Sequence, residues 1–148
     1  MFSSHYTHSL DGKGRLAIPS AWRKDLGVSV TITRGIDRCL FVFPTRKFES
    51  IAQSIEEIGV VRSDARALSR YLCAQAITAS LDGLGRIALS DALRRFAGIE
   101  NDIVVVGAND RIEIWNPERF AEEDKKIESE ANLVAERIGD ALHTRPAS

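Results

Sequence analysis

Leu10-Asp11-Gly12-Lys13-Gly14-Arg15-Leu16-Ala17-Ile18 returns 71 residues later as Leu81-Asp82-Gly83-Leu84-Gly85-Arg86-Ile87-Ala88-Leu89. Leu, Asp, both glycines, Arg and Ala sit in register, and Leu16/Ile87 and Ile18/Leu89 match in kind. An internal repeat constrains the architecture before any single element does. Here it also places an arginine at the same position beside a glycine-rich turn in each half.

Working outward, the two halves read in the same order. The first opens with a strand around His5–Leu10, turns at Asp11–Gly14 and returns through Arg15–Ile18. The two glycines are available for positive φ, and the aspartate can bond nearby backbone. Pro19 and Ser20 start a short helix that Gly27 stops. The β-branched run Val28–Thr33 and Cys39–Phe43 predict two more strands around a turn at Gly35–Arg38. Thr45 is a candidate cap for a helix to about Ile58, with Phe48, Ile51, Ile55 and Ile58 on one face. The second half repeats this: strands at Ile77–Leu81 and Arg86–Leu89, and a helix capped by Ser90 that ends at Gly98. Strands at Ile103–Val106 and Arg111–Trp115 follow, around a turn at Gly107–Asp110. Asn116-Pro117 then opens a last helix whose face reads Phe120, Ile127, Ala131, Val134, Ile138 and Leu142. Arg145-Pro146-Ala147-Ser148 reads as a frayed tail. A linking helix from Ser63 or Asp64 to about Gln75, with Leu68, Leu72 and Ala76 apolar, joins the halves.

The expected division is therefore 1–58 as first repeat, 59–76 as link, 77–120 as second repeat and 121–148 as final helix and tail. A half of this size buries too little to stand comfortably alone. The expected class is α+β, with the halves packed together, and room for their strands to interleave, into one pseudo-symmetric barrel.

Composition narrows the function. The 44% hydrophobic and 28% charged content belongs to a soluble globular chain. The longest apolar runs, Ile103–Val106 and Leu40–Phe43, are strand-sized, far short of the roughly 20 residues of a membrane span. No basic region followed by an apolar one opens the sequence, so a cytoplasmic protein without a signal peptide is expected. Cys39 and Cys73 lack metal-ligand spacing and read as free thiols, buried or partly buried. The net charge of −1 looks wrong for a nucleic-acid binder, but residues 1–100 carry +4 and residues 101–148 carry −5. Both repeated turns lie in the basic part, and the distribution of charge matters more than its total.

Three functional readings meet at Asp-Gly-x-Gly-Arg. A phosphate-binding loop needs Gly-Lys-Ser/Thr leading into a helix, and here the glycines lead into a strand. A calcium loop needs a ladder of carboxylates, and one aspartate does not supply it. A β-hairpin that carries positive charge to a partner fits better: Arg15 and Arg86 take the first strand position after each turn, and Lys13 sits at the first tip. A two-stranded ribbon enters the major groove of DNA, where arginine takes guanine bidentately or binds phosphate. A structural role stands beside that reading, with Arg15 paired to Asp11 and Arg86 to Asp82. Arg34 and Arg38, beside the Gly35 turn, are further basic candidates, and Arg62, Arg66 and Arg70 line one helix face. Catalysis has little support: His5, His8 and His143 lie near the ends, and no nucleophile or metal-ligand spacing is recognisable. No enzyme, cofactor, metal or small-molecule substrate is expected.

The paired Asp-x-x-Gly-Arg motifs resemble the MraZ family of bacterial transcriptional regulators, which belong to the AbrB-like swapped-hairpin barrels. The matching pieces are Met1-Phe2, Asp11–Pro19, Asp82–Leu89, Phe41-Val-Phe-Pro44 and Ile112-Glu-Ile-Trp115, within about residues 1–140. The resemblance implies a DNA-binding repressor of the division and cell-wall gene cluster, in the cytoplasm and associated with the nucleoid. It implies a ring-shaped homo-oligomer on tandem promoter repeats in double-stranded DNA. It carries Arg15 and Arg86 over as the main DNA contacts, with Lys13 beside the first. The second motif departs from the first, with Leu84 for Lys13 and Ser90 for Pro19. The rival reading is an oligomeric protein–protein interaction module without specific DNA binding, to which the acidic final helix lends some support.

Overall fold

Neither half keeps its first strand. In the computed structural model, which describes residues 1–143, β1 (His5–Ser9) pairs antiparallel with β7 (Asp102–Gly107) of the second half. In exchange, β5 (Ile77–Ser80) pairs with β3 (Ser29–Arg34) of the first. At the centre, β4 (Leu40–Pro44) and β8 (Ile112–Trp115) join the two halves, and each also pairs with its own neighbour, β3 or β7. The result is a six-stranded antiparallel sheet in the order β1-β7-β8-β4-β3-β5. The remaining strands, β2 (Arg15–Ala17) and β6 (Arg86–Ala88), form a separate two-stranded ribbon, again one strand from each half.

The hairpins expected at Asp11–Gly14 and Asp82–Gly85 are therefore corners. The strands on either side of each turn go to different sheets instead of pairing with each other. Leu10 donates its N–H to Asn101 O (2.8 Å) and Leu81 to Val28 O (3.0 Å), which holds each incoming strand on the opposite half. Leu89 donates to Gly14 O (3.0 Å) and Ile18 to Gly85 O (2.9 Å), which extends the ribbon past its formal ends. The same corners explain why no closed barrel is present among the described residues. The ladder ends at β1 and β5, and the chain leaves the sheet there for the ribbon.

The α+β class holds, with five helices: α1 (Ser20–Leu26), α2 (Thr45–Ile58), α3 (Ser63–Cys73), α4 (Asp91–Ala97) and α5 (Pro117–His143). One core serves both halves. Leu16, Ile18, Ile32 and Leu40 from the first meet Ile87, Leu93, Ile103 and Ile114 from the second. Ser90 caps α4 as expected, accepting the Leu93 N–H (3.2 Å). Thr45 does not cap α2: it is the first helical residue, and its hydroxyl meets those of Ser29 (2.8 Å) and Thr31 (3.2 Å) on the sheet. α2 and α3 share a smaller cluster of Ile55, Ala65 and Leu72, with Phe48, Ile51 and Tyr71 against it. Ile58 and Leu68, expected on those apolar faces, are exposed. Cys39, just ahead of β4, is buried as expected, whereas Cys73, at the end of α3, is exposed.

Residues 1–116 form one unit and α5 belongs to a second. None of the 27 residues of α5 is buried, and Ile127, Leu133, Ile138 and Leu142 are exposed. The tail at 145–148 lies outside the described residues. No helix is long and apolar enough to cross a membrane among the described residues.

A shared core predicts shared unfolding. Leu16→Ala should cost about 2–5 kcal/mol and loosen both halves together. Denaturation of Trp22→Phe and Trp115→Phe variants, each reporting from the remaining tryptophan in the other half, should give coincident transitions. Separate midpoints would mean two independent cores.

Candidate nucleic-acid interface

Each corner is organised by its aspartate. Asp11 Oδ1 accepts the backbone N–H of Lys13 (2.8 Å) and of Arg15 (3.0 Å), and Oδ2 accepts Arg15 Nε (2.7 Å). Asp82 repeats this with Leu84 N–H (2.9 Å), Arg86 N–H (2.9 Å) and Arg86 Nε (2.8 Å). One carboxylate thus shapes the turn and aims the arginine. Gly14 and Gly85 follow with φ of 71° and 72°, in the left-handed region that glycine enters without steric cost.

The ribbon then sets which side each residue faces. Directly opposite residues share a face, and Arg15 lies opposite Ala88, Ala17 opposite Arg86 and Leu16 opposite Ile87. Leu16 and Ile87 point into the core. Arg15 and Arg86 therefore emerge together on the other side, diagonal to one another across two alanines. Asp11 Oδ2 links them, lying 3.6 Å from Arg86 Nη1 as well as bonded to Arg15. Their side chains are 30% and 26% exposed, so both pairs are open to a partner. Lys13 is exposed at the first tip, and the exposed Leu84 takes the matching place at the second.

Two arginines missed in the sequence complete the arrangement. The register of the repeat runs on past Leu89, so that Ala21-Trp22-Arg23-Lys24 aligns with Ala92-Leu93-Arg94-Arg95. Arg23 on α1 lies over Gly85, and Arg94 on α4 lies over Gly14. Each helix thus places a guanidinium on the other half's turn. A Cβ at Gly14 would come 3.2 Å from Arg94 Cζ, and one at Gly85 would collide with the Arg23 guanidinium. Arg23 Nε donates to Ile18 O (2.9 Å), and Arg94 Nη2 pairs with Asp91. The signal that would have found them was the same offset of 71, read into the helices.

The other basic candidates sit elsewhere. Arg34 Nε and Nη2 donate to Tyr71 O (3.1 and 2.8 Å), with the guanidinium 4.2 Å from the Tyr71 ring centre. Arg38 lies 5.4 Å from the Phe96 ring centre. Arg62 pairs with Asp64, and Arg66 donates to Val60 O and Val61 O, tying the start of α3 to its connection. No cluster of metal-ligating side chains occurs among the described residues.

The duplication appears again when the chain is compared with known proteins. A family model described as "MraZ protein, putative antitoxin-like" matches twice, over residues 1–71 and 72–140. The chain belongs to the MraZ family. Among its relatives, a protein of Symbiobacterium thermophilum is 42% identical over 134 residues, covering 90% of this chain and 97% of the relative. Proteins of Natranaerobius thermophilus and Moorella thermoacetica are each 39% identical over 140 residues, covering 95% of this chain and 98% of the relative. All three are named transcriptional regulator MraZ. The double match agrees with the sequence repeat that builds the two corners.

The Arg15 backbone N–H, ahead of the other donors, holds the Asp11 carboxyl down at about 2, and Asp82 is lowered in the same way. Because the folded value lies below the unfolded ~3.9, the carboxylate's contribution is complete above that value and is lost as pH falls through about 2. A carboxyl NMR titration should place the Asp11 midpoint near 2. A midpoint near the unfolded value would mean the corner bonds are not held in solution.

Proposed function

We propose that this MraZ-family chain is a sequence-specific DNA-binding regulator of transcription, acting as a repressor of the division and cell-wall gene cluster. The reading rests on one observation above others: the ribbon brings the two arginine corners to a single face, with Lys13 beside them. The names of the relatives support regulation of transcription. DNA is the natural partner of such a face, since a guanidinium fork suits both guanine edges and phosphates. Arg15 is the leading contact. Its bond to Asp11 engages Nε, while Arg86 also has Nη1 drawn toward Asp11. Arg34, committed to Tyr71, and Arg38 stand behind both as accessory candidates.

A single ribbon offers few contacts. A ring of subunits on tandem promoter repeats gains affinity because each bound subunit raises the effective concentration of the next. The exposed apolar residues of α5 suit such self-assembly, and closed symmetry satisfies them without fibres. Kinship with the AbrB-like barrels fits the exchanged strands. The setting is cytoplasmic and nucleoid-associated, with no cofactor or small-molecule substrate required.

Arg15→Ala should lower affinity for upstream promoter DNA by about 1–3 kcal/mol for each engaged subunit, with Arg86→Ala having the smaller effect. Binding measured across a salt series, on promoter and random duplexes, checks this. Unchanged promoter affinity of a native Arg15→Ala oligomer would remove the assignment. Equal, weak binding of the native protein to every duplex would favour the protein–protein interaction module.

A further inference from the structure

The corners hold more positive charge than the motif arginines supply. The offset of 71 that relates Arg15 to Arg86 also relates Arg23 to Arg94. The strand exchange then crosses these pairs, so that the first corner carries Arg15 of its own half and Arg94 of the other, and the second carries Arg86 and Arg23. Four guanidinium groups gather around a short ribbon, with Asp11, Asp82 and Asp91 as the carboxylates that pair there. Four guanidinium groups against three carboxylates leave a local excess of positive charge that suits an anionic partner.

Arg94 carries a second, independent sign. Its Nε is shielded from solvent and has no hydrogen-bond partner among the described residues. A shielded donor of a charged group left unpaired is costly. Neither arginine caps its own helix: Ser90 caps α4, and α1 begins without a side-chain cap. Arg23 is tied to Ile18 O and Arg94 to Asp91, and the open backbone of the opposite turn glycine leaves the surface on which each guanidinium lies. A phosphodiester oxygen could there meet the guanidinium and the charge beside it together.

We propose that Arg23 and Arg94 form a second pair of DNA contacts that bind backbone phosphates, one beside each motif arginine. This rests on the DNA-binding reading given above. In this arrangement Arg15 and Arg86 reach the groove, while Arg23 and Arg94 hold the strand on either side of the ribbon. Because each corner draws its phosphate-binding arginine from the opposite half, the two halves bind as one site.

The test compares wild type with Arg23→Gln and Arg94→Gln, which keep a planar polar head and lose the charge, and with Arg23→Lys and Arg94→Lys, which keep the charge. Each protein is titrated with promoter and random duplexes over a salt series, with thermal melting as a check of folding. Each Gln variant should bind both duplexes more weakly by a similar factor. The slope of log affinity against log salt should fall by about one for each phosphate that is no longer neutralised, and the Lys variants should restore most of that slope. A Gln variant that melts as wild type and keeps the wild-type slope overturns the proposal, as does weaker binding with the slope unchanged, which marks a structural role. Wild type that shows no salt-dependent duplex binding overturns the DNA reading itself. Wild-type binding with unaffected variants overturns only the role of Arg23 and Arg94.

Discussion

Everything near the arginines depends on the exchange of first strands between the halves. β1 completes the sheet of the second half and β5 that of the first. With each incoming strand held on the opposite half, the chain leaves the sheet at both corners, and β2 pairs with β6. A two-stranded ribbon is marginal alone. This one persists because Leu16 and Ile87 close the shared core from that side. The burial of two aliphatic side chains thus fixes the orientation of two arginines on the reverse face. Duplication here yields one composite surface rather than two copies of a small one.

Much of this is legible from residue order, and what is not has a physical reason. Turns with Asp and Gly, helix stops at Gly27 and Gly98, and β-branched strands are local signals, so the element order of both halves emerges from them. Partner choice is not local. Sequential strands usually pair, so a turn between two short strands reads as a hairpin, and nothing between Leu10 and Ile18 says that the incoming strand belongs to β7. Thr45 is of a residue type that favours capping, yet hydroxyls on the neighbouring sheet compete for it. Leu68 and Ile58 satisfy helical spacing but are exposed and outside the small α2–α3 cluster. Arg23 and Arg94 are within reach of the sequence. Their placement is not, because only the crossing of the halves sets each over the other's glycine.

The structural role of Arg15 and the DNA-binding role proposed for it do not exclude one another. Pairing with Asp11 is the bland interpretation, and the pair is present. Yet the carboxylate engages Nε, the inner nitrogen, and so fixes the guanidinium plane while the Nη end of the fork is the part a partner would meet. A pre-set fork loses less freedom on binding than a mobile one. On that proposal Asp11 carries a cost as well, since its negative charge would weaken long-range attraction for DNA in a chain whose net charge is already −1. Such a surface favours placement over pull. Its contacts should be weak singly and strongly dependent on geometry, which is the condition under which repetition along a DNA site contributes most.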